Sequence, residues 1–572
     1  MCGIVGYTGY QNAENIVVDG LKILEYRGYD SAGIAMCLNG TLAIFKTAGG
    51  VAQLLPLLPE AVSHTAIGHT RWATHGKPCA QNSHPHLSFD KRIAIVHNGV
   101  IENCEELRAD LQKRGITFQS QTDSEIIAHM LALENLDDMP RALENVGKSL
   151  QGANTFIVMK SGDNAIYARK FGASLAVGFG ENENFVASDT LAISKHTRNI
   201  AVLNDGECAV VKPNEIKFFK NGKQIRKKAK KIQRTPPKEC SCHMRAEIDE
   251  ISSALKNTYA SVTSNQPAIN MLARAKKVII IGCGTAYHAG LYAKEVIERL
   301  KNIPCECIVA SEADGLRFVN KDCLAIAISQ SGETADTLFA LEQCKQNGAK
   351  TLAITNVEGS SLALSADKTV LLNAGAEVAV AATKSYNCQL FALYLLTKYA
   401  IKEAFSVDDL NALCTAVQQA MQLSLYEEKI KNSNMFFIGK GIDNMTAQEG
   451  ALKFKEITYK MTDAYSTGEL KHGAIALIDD KSCVVALAST ANDKRLDATV
   501  SELRSRGAYC VSVSPYRYNC ADKAFVLPHL TDELLYPVLS IIPLQNLALT
   551  SSLCLGLNPD KPRNLAKSVT VI

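Results

Sequence analysis

Beyond residue 276 the chain repeats itself, and the repeat limits the folds open to its second half. Lys277 to Gly284 (KVIIIGCG) matches Asn434 to Gly441 (NMFFIGKG), with Gly282 and Gly439 157 positions apart. Leu324 to Ser329 (LAIAIS) parallels Val484 to Ser489 (VVALAS) at an offset of 160, and Leu352 to Thr355 parallels Val511 to Ser514 at 159. Three matches at nearly one offset imply a duplication. Each copy has unbroken apolar strands, as a parallel sheet buried on both faces requires, with glycine at the turn into a helix. Two doubly wound α/β domains are expected, with ligands at the carboxyl ends of the strands, where Gly282 and Ser329 fall.

The chain has 572 residues, too many for one core, and three or four units are expected. With 47% apolar and 21% charged residues it reads as packed and soluble. Residues 1 to about 210 hold short strand-like runs (Arg92 to Val96, Thr155 to Met159, Asn184 to Ala187) and helical stretches such as Asp123 to Leu133, a mixed α/β domain. Lys217 to Arg234 carry nine basic residues and no acid, giving the chain its net +3. Only Phe218 and Phe219 could stack on bases there, so the run reads as a solvated strand end and linker rather than a nucleic-acid site. Thr235-Pro236-Pro237-Lys238 marks its end.

Most of the eighteen cysteines sit in apolar segments and read as reduced core residues of a cytoplasmic protein. Cys240-Ser241-Cys242-His243 lacks a second ligand pair, so no metal is expected. The start, Met1-Cys2-Gly3-Ile4-Val5-Gly6, has no basic n-region or long apolar run, and no signal peptide is expected. Leu534 to Leu557 is uncharged and long enough for a membrane, but Pro537, Pro543, Gln545 and Asn546 make it a buried core or interface segment.

Removal of Met1 would place the Cys2 thiol beside a free α-amine, whose ordinary pKa of about 7.7 to 8.0 suits a general base. A glutamine amide hydrolase also needs a cation for the α-carboxylate, an anion for the α-ammonium and donors for the tetrahedral oxyanion. Arg71, Asp123, and Asn98 with the Gly99 N–H can fill those roles. Each alone would pass for an ion pair or a turn.

Together, CGIVGY, EYRGYDSAGIA (Glu25 to Ala35), HTRWATHG (His69 to Gly76), HNGVIEN (His97 to Asn103) and TDSEIIAH (Thr122 to His129) resemble the glutaminase domain of the glucosamine-6-phosphate synthase family, the isomerising glutamine:fructose-6-phosphate amidotransferases. The resemblance implies an N-terminal-nucleophile fold of layered sheets, with Cys2 as nucleophile. It implies Arg71, Thr74, His75 and Asp123 as glutamine binders, Asn98 and Gly99 as oxyanion hole, and Trp72, the single tryptophan, as ammonia-channel gate.

The second half resembles the family's tandem sugar isomerase domains. Ser329-Gln330-Ser331-Gly332-Glu333-Thr334 offers hydroxyls and N–H groups to a phosphate. The resemblance makes Ser329, Gln330, Ser331 and Thr334 the sugar-phosphate cradle, with Thr285, and brings Val380 to the sugar. Glu449 to Glu456 reads as a helix with Lys453 and Glu456 on one face. The family implies Glu456 as the base moving a proton between sugar carbons, Lys453 beside it, His472 for ring opening, and Lys567 in the C-terminal tail as the Schiff-base amine. It implies glutamine and fructose 6-phosphate as substrates, no cofactor, no nucleic acid or membrane partner, and a homodimer or higher homo-oligomer.

The implied domains are 2–215 (glutamine amidotransferase), 216–246 (basic linker), 247–405 and 406–560 (sugar isomerase), and 561–572 (catalytic tail). Ala286 and Ala382 stand where the family has serine, and Ala474 where it has proline. Ser311-Glu312-Ala313-Asp314-Gly315 replaces a Ser-Glu-Phe-Arg pattern, and His243 to Glu250 is altered. These departures leave open a paralogue or deglycase acting on another ketose phosphate, or a sugar-phosphate sensor without catalysis. A sensor has no use for a proton shuttle.

Overall fold

The computed structural model describes residues 2–569 except 73–75, 233–235, 237–239, 315, 317 and 492. The chain forms two compact units, one of Met1–Pro237 with Ala566–Ile572 and one of Lys238–Leu565.

In the first unit, β1 (Gly3–Thr8) leads into α1 (Ala13–Leu24), whose first turn is capped where Asn12 accepts the Glu14 N–H. β1 pairs antiparallel with β2 (Thr65–Arg71) in an eight-stranded sheet, and β3 (Ile93–Gly99) lies in a second sheet of seven strands. The sheets stack face to face, with Ile4 and Ile67 of one packed with Ala94, Val96 and Ile157 of the other. α1 covers the outside of the first sheet through Val17 and Leu21. On the outside of the second, α2 (Glu125–Ala132) and the helix Met139–Ser149 bury Ile127, Leu131 and Leu143. Side chains alternate along a strand. Cys2 therefore follows Ile4 towards the space between the sheets, and Asn98 follows Ala94 and Val96 into it, while His97 follows Ile93 and Ile95 to the helix side.

The basic run, expected as a solvated strand end and linker, holds three short strands. Glu215–Lys220 and Lys223–Ile225 form a hairpin at one edge of the seven-stranded sheet, and Lys230–Lys231 pairs with Asn199 and Ile200 at the edge of the other. The cause is the Asn221-Gly222 turn, with φ of 50° and 71°, which matches the twist of two paired strands. Phe218 is buried between the sheets, Lys220, Lys223, Lys230 and Lys231 are exposed, and Lys227 pairs with the buried Glu207.

In the second unit, the first copy of the repeat holds β4 (Lys277–Gly282), α3 (Thr285–Lys301) and β5 (Cys323–Ile328), and the second holds β6 (Asn434–Gly439), α4 (Ile442–Thr458) and β7 (Ser482–Leu487). Each copy is a five-stranded parallel sheet with the same order: second strand, first, third, fourth, fifth. Sheet register corrects one offset. Ile281 pairs with Ala327 and Ile438 with Ala486, so the third strands correspond at 159, one less than the string match of 160. Ser329 thus corresponds to Ala488 and Gln330 to Ser489.

Gly284 and Gly441 sit at the starts of α3 and α4 with φ of 54° and 56°, a conformation costly for any residue with a Cβ, so both copies keep glycine there. The copies share one apolar core that includes Ile280, Tyr292, Phe391, Phe437 and Phe454. The uncharged run near the C-terminus is a helix inside it, α5 (Tyr536–Cys554), whose most apolar window is 94% buried.

Candidate active sites

The first unit gathers its site where β1 starts and β2 and β3 end. The Trp72 N–H lies 3.3 Å from Cys2 Sγ, and the thiol faces the Trp72 carbonyl at 3.7 Å. Asn98 Nδ2 donates to the Cys2 carbonyl at 3.0 Å. The next residue, Gly99, has φ of 147°, and a Cβ there would lie 1.9 Å from the Ala153 carbonyl oxygen. Tyr29 meets the Trp72 ring edge-on at 5.8 Å.

Arg71 is 3% exposed. Burial pulls its guanidinium below the ordinary value, opposed by attraction to Cys2 and Asp123. Asp123 is anchored by the Ile101 N–H at 2.8 Å and the Ser124 hydroxyl at 3.2 Å, and Ser124 lies 2.8 Å from His97 Nδ1. A thiol, an amide donor, a buried cation and a buried carboxylate thus share one end of the layered sheets. Thr74 and His75 lie outside the described residues.

The second unit places a charged cluster where α3 begins and α4 runs past it. Lys453 Nζ lies 2.6 Å from Glu456 and 3.4 Å from Glu449, and donates to Thr285 Oγ1 at 3.1 Å. Thr285 in turn donates to Glu449 at 2.9 Å, and His288 Nδ1 is 2.7 Å from the other Glu449 oxygen. Desolvation opposes the Lys453 charge, but the two carboxylates prevail and hold its pKa above the ordinary value. Burial raises the Glu449 carboxyl, and Lys453, His288 and Thr285 bring it below its usual range. The result is a dry ion cluster with one carboxylate, Glu456, 20% exposed at its rim.

At the end of β5, Ser329 Oγ lies 2.9 Å from Thr334 Oγ1 and 3.5 Å from Ser331 Oγ, and accepts the Gly332 N–H. The turn leads into the helix Ala335–Gln346, and its shape is fixed by the Gln330 carbonyl, which accepts the Asn356 N–H. Hydroxyls that bond one another can be redirected to a phosphate at the helix start.

Residues 69–195 match the family described as a glutamine amidotransferase domain, and residues 271–399 and 430–516 match the SIS domain. The isomerizing glutamine–fructose-6-phosphate aminotransferase of Caldanaerobacter subterraneus is 40% identical over 612 residues, covering all of both chains. Those of Aquifex aeolicus and Pyrococcus horikoshii are 40% and 39% identical, again over all of both chains. The chain belongs to the isomerizing glutamine–fructose-6-phosphate aminotransferase family. Among solved structures, the C-terminal domain of glucosamine-fructose-6-phosphate aminotransferase from Francisella tularensis is similar, with a TM-score of 0.51 and 29% identity, covering 56% of this chain and 98% of that one.

Against the residues read from sequence, the structure brings Cys2, Trp72 and Asn98 into direct contact. It also joins Lys453 to Glu456. Thr285, expected in the phosphate cradle, stands at the start of α3. Its hydroxyl is held by Glu449 and Lys453, because a buried carboxylate is a stronger acceptor than a neighbouring hydroxyl. Val380 is buried and donates its N–H to the Asp560 carbonyl.

His472 ends a short turn, Glu469–His472, and is exposed; among the described residues no hydrogen bond or ion pair joins it to Lys453 or Glu456. Lys567, in the segment grouped with the first unit, is half-buried, and Ser568 beside it is buried. Glu449 and His288 were missed as site residues, although Glu449 four positions before Lys453 is the spacing of a helical ion pair.

Proposed function

We propose that this protein makes glucosamine 6-phosphate from fructose 6-phosphate and glutamine. The observation that carries the reading is the Cys2 thiol held at the Trp72 backbone with the Asn98 amide on the Cys2 carbonyl, in a chain whose other unit buries Lys453 between Glu449 and Glu456. In the first unit, Cys2 attacks the glutamine carboxamide and passes its proton to its own α-amine, freed when Met1 is removed. Asn98 Nδ2 and the Gly99 N–H receive the oxyanion. Arg71 takes the substrate carboxylate and Asp123 its ammonium, with Thr74 and His75 completing the pocket. Ammonia leaves, water cleaves the thioester, and glutamate departs.

Trp72 gates the ammonia so that it reaches the isomerase half without release to water. There Ser329, Gln330, Ser331 and Thr334 hold the phosphate and Val380 borders the sugar. His472 assists ring opening, and Lys567 forms an imine at C2 of the open ketose. Ammonia displaces the lysine, Glu456 carries a proton from C1 to C2, and C1 becomes the aldehyde of the amino sugar. Lys453 keeps Glu456 oriented. No step calls for a metal or redox group.

Support for the first copy as the sugar site comes from its partner. The position of Ala286 in α3 corresponds to Asp443 in α4, whose carboxylate already accepts the Ser489 N–H and hydroxyl at 2.9 and 3.1 Å. The second copy's cradle is filled by its own anion.

The test is an assay of glutamate and amino-sugar phosphate with wild type, Cys2→Ala and Lys567→Ala. Cys2→Ala should lose glutamine hydrolysis yet keep synthesis from ammonium. Lys567→Ala should lose synthesis, and borohydride should trap a sugar phosphate on Lys567 in the wild type. Hydrolysis by Cys2→Ala at the wild-type rate refutes the glutaminase half; undiminished synthesis by Lys567→Ala refutes the imine.

A further inference from the structure

The imidazole of His69 lies on the inner face of β2, directly against Asn98. Its Nε2 is 3.1 Å from the His97 carbonyl oxygen and 3.1 Å from Asn98 Oδ1. A backbone carbonyl only accepts, so Nε2 carries the hydrogen. On the other side of the amide, Asn98 Nδ2 faces the Cys2 carbonyl, which also only accepts. The two carbonyls thus fix the order of the chain: His69 N–H to Asn98 oxygen, Asn98 NH₂ towards Cys2.

The ring is fully buried, which pushes its pKa down to about 3, so it stays a neutral single donor across the working range. It stacks on His84 at 4.1 Å with the planes 12° apart. His84 Nδ1 accepts the His97 N–H at 3.2 Å. Two stacked imidazoles therefore hold the backbone N–H and C=O of His97, the residue before Asn98.

We infer that His69 is a positioning residue for glutamine hydrolysis, holding the Asn98 carboxamide with its NH₂ turned to the developing oxyanion. The inference rests on the glutaminase reading above. An Asn side chain is nearly symmetric in shape, and a flipped amide would present oxygen to the oxyanion and repel it. With the NH₂ on the Cys2 carbonyl, a hydrogen bond from this neutral, buried donor to the oxygen opposes the flip without adding charge near the Cys2 thiol.

The test compares His69→Phe, which keeps a flat ring for His84 but has no donor, with His69→Gln, whose amide can still donate. Glutamine hydrolysis is measured as kcat and KM alongside thermal melting, with Cys2→Ala as reference. His69→Phe should lower kcat about 100-fold, the scale of losing one oxyanion donor, with KM changed less than about threefold. His69→Gln should recover at least about tenfold of that loss. In an Asn98→Ala background, His69→Phe should cost less than about twofold more, since the two residues act as a unit.

Wild-type kcat in His69→Phe overturns the inference. So does equal loss in both variants with melting lowered in both, which marks a purely structural histidine. Should His69→Phe fail to fold, His69→Gln decides, and retention of under about a tenth of kcat overturns the proposal. Hydrolysis by Cys2→Ala at the wild-type rate would instead sink the glutaminase reading itself.

Discussion

A buried lysine between two carboxylates shows how single residues set the chemistry of the second unit. Lys453 is 1% exposed and Glu449 fully buried, so their attraction acts where water screens little. Removing the cation leaves Glu456 without its ion pair and the buried Glu449 with only Thr285 and His288, and breaking a buried pair costs roughly 3 to 5 kcal/mol. Lys453→Met should therefore lower the calorimetric melting of the second unit by several degrees and abolish synthesis, while glutamine hydrolysis persists; melting unchanged from wild type would show the cluster to be weakly coupled. At the other site, Gly99→Ala forces a Cβ against the Ala153 carbonyl, and glutaminase kcat should fall at least about 100-fold with synthesis from ammonium intact. Cys2, Asn98 and the Lys453 helix were legible because short motifs carry their residue types at telling spacings. Glu449 and His69 were not assigned because their roles come from burial and partners brought together by the fold, which a string of letters does not show.

At the scale of elements, the two copies of the repeat use one design differently. α3 begins with Thr285 and Ala286, leaving room at its start, whereas α4 turns Asp443 inward onto Ser489. Burial, partly offset by the Ser489 bonds, raises the Asp443 carboxyl to about 6. A carboxyl whose folded pKa lies above its unfolded value stabilises the protein fully below about pH 4 and loses that contribution as pH rises through about 6. The Asp443→Asn melting temperature relative to wild type should therefore rise between pH 5 and pH 7, in calorimetry at both values. A relative gain confined to pH 5 would reverse the sign. The strands of both copies were readable from their apolar runs. Their register was not, since one residue of slip leaves a run of Ala, Ile and Val looking the same, and pairing across the sheet settles it. The strand end in the basic run was legible but its hairpin was not, because lysines dominate the composition while Asn221-Gly222, the turn signal, is only two residues long.

For the whole molecule, the sequence reading set the first domain at 2–215 with a linker over 216–246, and the two compact units of the structure divide after Pro237. It did not show that the isomerase copies share a single core, which depends on which apolar faces meet. In the proposed function one chain takes nitrogen from glutamine in its first unit and places it on a sugar phosphate in its second. Isotope tracing tests this directly. The purified full chain is given fructose 6-phosphate, glutamine labelled with ¹⁵N in its amide, and excess unlabelled ammonium, and the product is read by mass spectrometry. Glucosamine 6-phosphate carrying ¹⁵N is expected, formed in step with glutamate and absent in Cys2→Ala. Glutamate formed with no amino sugar, or amino sugar whose nitrogen comes only from the unlabelled pool, would contradict the proposed function.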